Sequence, residues 1–225
     1  MMPTKIPGTR TGTRTVPEVV VPRVHLLLVF LASGFAALLY QVAWQRSLFT
    51  IFGTNVESVT VVVTGFMLGL GLGSLAGGAV SADPRRPLLP IFACVELATG
   101  LYGFVSLDLF RWVGDHGLGT STAGTAALSL LLVLIPTLLM GATLPLLVAH
   151  TVRVSGHVGR AVAVLYAVNT LGAAAGSLAG ALYLLGALGL SGSVRLAAGL
   201  NMAIGASILL AWLLARARRD AEAAS

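Results

Sequence analysis

The chain has 225 residues, 56% of them hydrophobic and only 10% charged, with a mean hydropathy of +0.93. A water-soluble domain carries roughly a quarter charged residues, so this composition excludes a soluble enzyme fold and makes lipid the expected solvent. The net charge of +6 and a pI near 10.4 come from basic residues scattered at the edges of apolar runs, which argues against nucleic acid as a partner.

The first stretch, residues 1–23, holds the echo Gly8-Thr9-Arg10 and Gly12-Thr13-Arg14 and reads as a disordered basic cytoplasmic tail. The apolar run after it is long enough to span and lacks a small-residue cleavage site close behind, so it reads as an anchor rather than a removable signal. Apolar runs then predict six spans, at about 24–45, 57–81, 87–107, 123–149, 160–187 and 194–215, followed by a short cytoplasmic tail over 216–225. Lipid offers no hydrogen-bond partner, so each run must satisfy its own backbone as a helix. The fold class expected is therefore an all-α membrane bundle, with one membrane domain over residues 24–215.

Six spans put both termini on one side. That side collects Lys5, Arg10, Arg14, Arg23, Arg85, Arg86, Arg153, Arg160, Arg216, Arg218 and Arg219, and the other only Arg46, Arg111 and Arg195. Eleven against three makes the first side cytoplasmic, with the cell (inner) membrane as the expected location. Trp44 and Trp212 fall near opposite ends of their spans, where interfacial anchors sit. The lone Cys94 lies inside an apolar run and reads as core packing.

The second span carries Gly65, Gly69, Gly73 and Gly77, and the fifth carries Gly172, Gly176 and Gly180, both at four-residue spacing. Each set lines one helix face, and without Cβ atoms two helices can approach closely enough for extensive van der Waals contact. The ladders occupy the middle span of the first three and of the last three, which run in opposite directions, as an inverted 3+3 repeat would. In the fourth span Pro136 and Pro145 each remove a backbone donor, so a kinked helix is expected whose freed carbonyls are met by neighbours.

Few residues here can carry chemistry. Glu96, in the middle of the third span, costs roughly 2.5 to 3.5 kcal/mol near a bilayer centre on insertion scales. It must face the bundle interior with partners, either as a proton or cation site or as a neutral interhelical hydrogen-bonding group. Counted from the cytoplasmic edge at about 1.5 Å per residue, Glu96 lies about 12 Å deep and Asn169 about 13 Å, with Thr143 slightly shallower. A shared depth permits one polar cluster of these three, provided that their helix faces meet. Tyr40, Gln41 and Asn201 are expected nearer the outer surface. The four histidines lack metal-ligand spacing, and neither a metal nor a cofactor is expected. No GxSxG, HExxH or P-loop pattern occurs, so no enzyme is expected.

Four stretches carry a resemblance in order: Ser33-Gly34-Phe35-Ala36-Ala37-Leu38-Leu39-Tyr40-Gln41-Val42-Ala43-Trp44-Gln45-Arg46, Phe66-Met67-Leu68-Gly69-Leu70-Gly71-Leu72-Gly73-Ser74, Leu139-Met140-Gly141-Ala142-Thr143-Leu144-Pro145 and Leu165-Tyr166-Ala167-Val168-Asn169-Thr170-Leu171-Gly172-Ala173. They resemble helices of the membrane domain in bacterial spermidine synthase-like fusion proteins, over about residues 26 to 212. Asp83-Pro84-Arg85-Arg86 is similar to the loop after the second helix of facilitator transporters. The resemblance implies a six-helix bundle like half of a major facilitator. It also implies a cytoplasmic aminopropyltransferase-like domain, but the sequence stops at Ser225, so aminopropyl transfer is not carried over.

The expected function is a non-catalytic multi-pass module in the lipid bilayer. It works as a homodimer or with a separate partner subunit, transporting polyamines or other small solutes. The alternative is a scaffold that anchors a separate cytoplasmic aminopropyltransferase-like enzyme.

Overall fold

A computed structural model describes residues 21–53, 55–117 and 122–224. Most of the basic tail expected over 1–23, with Lys5, Arg10 and Arg14, lies outside the described residues.

Nearly all described residues are helical: α1 (Arg23–Phe52), α2 (Asn55–Ser81), α3 (Leu88–Gly117), α4 (Thr122–Ser155), α5 (Val158–Ala179) and α6 (Leu185–Ala224), with a π turn at Gly180–Leu184 joining the last two. Five runs are long and apolar enough to cross a membrane, rather than six separate ones, because Val158–Glu222 is one apolar helical run of 65 residues. The sequence between the fifth and sixth expected spans explains this. Leu188-Gly189-Leu190-Ser191-Gly192-Ser193 holds no charged residue to end a helix. The chain breaks there nonetheless at Gly189, whose φ of 68° and ψ of −178° are non-helical and suit a residue without Cβ.

The helices outlast the apolar runs. α1 and α3 are each 30 residues long, about 45 Å at 1.5 Å per residue, against a hydrocarbon core of about 30 Å. α6 likewise continues through the expected tail to Ala224.

Neighbouring helices fix one another's direction. Gly34 lies against Asn169, and Gly172, Gly176 and Gly180 follow in order against Leu31, Phe35 and Leu39, so α1 and α5 run parallel. Gly65, Gly69, Gly73 and Gly77 meet Val133, Thr137, Leu138 and Ala142, so α2 and α4 are parallel too. Gly100 faces Ala198 and Met202 while Gly205 faces Ala93 and Leu97, making α3 and α6 antiparallel. These glycines have the close approaches that their spacing predicts. A Cβ at Gly65 would come within 2.7 Å of Val133 Cγ1, and one at Gly77 within 2.7 Å of the Ala142 carbonyl oxygen.

The buried side chains divide into two apolar clusters. One gathers Leu39, Tyr40, Trp44, Phe66, Phe110 and Val133; the other gathers Leu26, Phe30, Phe92, Leu147, Leu165 and Ile208. Trp44 is fully buried in the first, stacked on Tyr40 at 4.8 Å between ring centroids, and its indole N–H donates to Ser106 Oγ at 3.0 Å. It is therefore core rather than the interfacial anchor expected, because α1 continues eight residues past it. At that end of the bundle Trp112 is the exposed indole, stacked on His116. Cys94, expected in the core, is exposed on the outer face of α3.

Both prolines of α4 sit inside the helix. Pro136 has no N–H for the Leu132 carbonyl four residues back, and Tyr102 of α3 supplies its hydroxyl instead, at 2.6 Å.

Candidate functional site

On each of three helices a polar residue separates the two apolar clusters. Ser33 follows Phe30 and precedes Ala36 on α1, Glu96 follows Phe92 and Ala93 on α3, and Asn201 lies between Ala198 and Ile204 on α6. These three side chains meet. Ser33 Oγ donates to Glu96 Oε1 at 2.7 Å, and Asn201 Nδ2 donates to Glu96 Oε2 at 2.6 Å. Glu96 is 1% exposed and Asn201 3%. Each carboxyl oxygen thus has one donor, and the residue expected to need partners in the bundle interior has them.

The partners differ from those expected. Asn169 packs against Gly34, the residue after Ser33, on another side of α1. Successive residues point about 100° apart around a helix of 3.6 residues per turn, so Asn169 and Glu96 meet α1 on different faces. Thr143 is buried, but its hydroxyl turns back on its own helix and donates to the Met140 carbonyl at 2.7 Å. The cluster of Glu96, Asn169 and Thr143 that shared depth permitted is therefore replaced by Ser33, Glu96 and Asn201. Shared depth alone did not select the partners, since contact also needs facing sides. Expected nearer the outer surface, Asn201 instead shares the layer of Glu96, as their 2.6 Å contact requires.

Tyr40 is fully buried seven residues beyond Ser33, with its ring edge at Gly103, and Gln41 beside it is half-buried. The Tyr40 hydroxyl and Asn201 Oδ1 are buried oxygens without a hydrogen-bond partner. The amide of Asn201 can therefore turn over and still present a usable atom to Glu96: Nδ2 to a carboxylate, or Oδ1 to a carboxylic acid.

Two further groups escaped sequence reasoning. Thr137 of α4 brings its hydroxyl within 3.1 Å of the Gly65 carbonyl of α2, at the contact that the α2 ladder opens, with the Val133 carbonyl of its own helix nearer at 2.8 Å. Arg153, in the last turn of α4, donates to the carbonyls of Ser81 and Asp83 at 2.9 Å and of Arg86 at 3.0 Å. It so ties the end of α2 and the Asp83-Pro84-Arg85-Arg86 loop to α4. Within that loop the Arg85 backbone N–H bonds Asp83 Oδ1 at 2.9 Å, and this bond, with the Arg86 side chain next, holds the Asp83 carboxyl below its ordinary range. Neither contact had a signal in the sequence; the donor that Pro136 does ask for, at the Leu132 carbonyl, is Tyr102.

Comparison with known proteins finds no match: no family model, no curated protein and no solved structure is similar to this chain.

Proposed function

We propose that the chain is a non-catalytic membrane module of six crossings, related to the membrane domain of spermidine synthase-like proteins, that anchors a separate cytoplasmic partner enzyme. In this reading the run Val158–Glu222 crosses twice, with Gly189 at the turn. About 30 residues on either side of that glycine, about 45 Å each, suffice for a crossing. An inverted 3+3 repeat is supported by the pairing pattern. α2 packs on α4, α5 on α1 and α3 on α6. Exchanging the first three helices for the last three turns the α2–α4 pair into the α5–α1 pair and leaves α3–α6 unchanged.

The observation that favours this role over coupled transport is the carboxyl of Glu96, each of whose oxygens has a donor. With both oxygens hydrogen-bonded between α1, α3 and α6, it acts as an interhelical lock. The test is spermidine uptake by the purified protein in liposomes, together with retention of an aminopropyltransferase-like domain on the immobilised chain. Retention without uptake is expected; uptake above that of empty liposomes overturns the role.

A second reading, proton- or cation-coupled transport of a polyamine or small solute, is favoured by the unpartnered Asn201 Oδ1 beside Glu96. Six crossings match half of a facilitator, so this reading requires a homodimer. Uptake lost in Glu96→Gln would select it.

A further inference from the structure

A cavity of about 250 Å³ opens at the basic end of the bundle, between the start of α1, the end of α4 and the start of α5. Its mouth and its depth differ in chemistry. Arg23, His157 and Arg160 stand at the mouth and are exposed. One to two turns further in, Leu26, Leu27, Val164 and Leu165 form an apolar wall. His150, only 1% exposed, completes the lining from α4. None of the described residues that line it is acidic.

Two helices also begin there. α1 and α5 run parallel, so both N-termini lie at this end, and neither Pro22 nor His157 supplies a side-chain cap to the first turn. Their initial N–H groups and dipoles therefore add to the positive potential of the two guanidinium groups. The end of α4 opposes this in part, with the Val152 carbonyl covered by the Gly156 N–H at 2.7 Å and the Ser155 carbonyl faced by His157 Nδ1 at 2.6 Å.

We infer that this cavity binds one anionic phospholipid, with the headgroup phosphate held by Arg23 and Arg160 and the start of an acyl chain against Leu26, Leu27 and Val164. Charge complementarity selects an anion. The apolar wall below the mouth selects an amphiphile, since a free phosphate would leave Leu26, Leu27 and Val164 uncovered. Position agrees: the site sits where apolar helices give way to basic residues, the level at which headgroups lie.

The test uses the purified chain in detergent, titrated with phosphatidylglycerol, phosphatidylcholine or inorganic phosphate while thermal unfolding and lipid retention in native mass spectrometry are followed. Phosphatidylglycerol should raise the melting temperature and stay bound through detergent exchange, and the other two should not. Equal stabilisation by phosphatidylcholine would show mere solvation of the apolar surface and overturn the inference. Equal stabilisation by inorganic phosphate would make it a free-anion site and overturn it too. Arg23→Gln with Arg160→Gln should weaken phosphatidylglycerol binding by at least about tenfold, as loss of two basic residues facing one headgroup implies. The control, Arg85→Gln with Arg218→Gln, removes the same charge at the same end away from the cavity and should change binding little. Equal loss in the control would attribute the effect to surface charge and refute the cavity site. Val164→Phe, which fills the apolar wall and keeps every charge, should weaken the lipid as well; unchanged binding in that variant would equally refute it.

Discussion

Glu96 of α3 and Asn201 of α6, 105 residues apart in the chain, share a 2.6 Å hydrogen bond in the layer that separates the bundle's two apolar clusters. Ser33 closes the same carboxyl from α1. A polar contact at one level on three helices fixes their vertical register, which apolar packing alone leaves loosely determined.

Substitutions at Glu96 should therefore split by chemistry. Glu96→Gln keeps an acceptor for Ser33, and its amide N–H can pair with Asn201 Oδ1 once that side chain turns over. Its cost should stay within about 1 kcal/mol, the scale of one interhelical hydrogen bond in a membrane protein. Glu96→Leu strands both Ser33 and Asn201 and should cost about 1–3 kcal/mol more, as unmet buried polar groups do. Thermal unfolding in detergent checks the order; equal melting temperatures for the two variants would contradict it.

The glycine ladders predict a steric effect of comparable size. A side chain at Gly73 would drive into the Leu138 backbone, and one at Gly176 into the Phe35 backbone. Neither neighbour is a flexible side-chain tip, so the helices themselves must separate. Gly73→Leu and Gly176→Leu should each lower the melting temperature clearly, whereas Gly71→Leu, on a face with nothing within 4 Å, should not.

At the basic end, Arg153→Ala removes three hydrogen bonds to backbone carbonyls at once. A loss of about 1–3 kcal/mol is expected from leaving such acceptors unmet, reduced where water reaches them. Asp83 adds a pH dependence of known sign. Its folded carboxyl is held below the ordinary range, so its contribution is present at neutral pH and fades as pH falls through that lowered value. Asp83→Asn should narrow the stability difference between pH 7 and pH 3; an unchanged difference would remove Asp83 from the account.

Pro136 and Tyr102 give a further stability test. Tyr102→Phe keeps the ring that packs edge-on against Trp44 at 6.3 Å but loses the hydroxyl that meets the Leu132 carbonyl. The orphaned carbonyl should cost about 1–3 kcal/mol. Restoring an N–H at the proline position with Pro136→Ala in the Tyr102→Phe background should recover most of that loss, and no recovery would break the link between the two residues.

Topology is tested by labelling. In a Cys94→Ser background, a cysteine at Asp115 should react with an impermeant reagent from outside and one at Ser155 should not, if the basic end faces the cytoplasm. The reverse pattern would invert the orientation.

Much of the helical architecture is legible because lipid enforces it. Long apolar runs must be helices, and four-residue glycine spacing must mark a close approach, so α2 and α5 could be read directly. Which helix each ladder would meet was not legible, since spacing along one helix says nothing about its neighbour. The site shows the same limit. Glu96 announced itself by cost, but its partners had to come from helix faces, and a lone serine such as Ser33 has no sequence signature. Trp44 misled because aromatic residues near a span's end are equally at home at an interface and in a core; the eight further residues of α1 decided it.

The lock on Glu96 also orders events during synthesis. α1 and α3 leave the ribosome early, so Ser33 can reach the carboxyl soon after α3 is made, but Asn201 follows 105 residues later. At about 5–20 residues per second, that is an interval of roughly 5–20 s in which a half-satisfied acid sits among incomplete helices. During this time α3 has α1 and then α4 as neighbours, and the carboxyl gains its second donor only when α6 packs on α3.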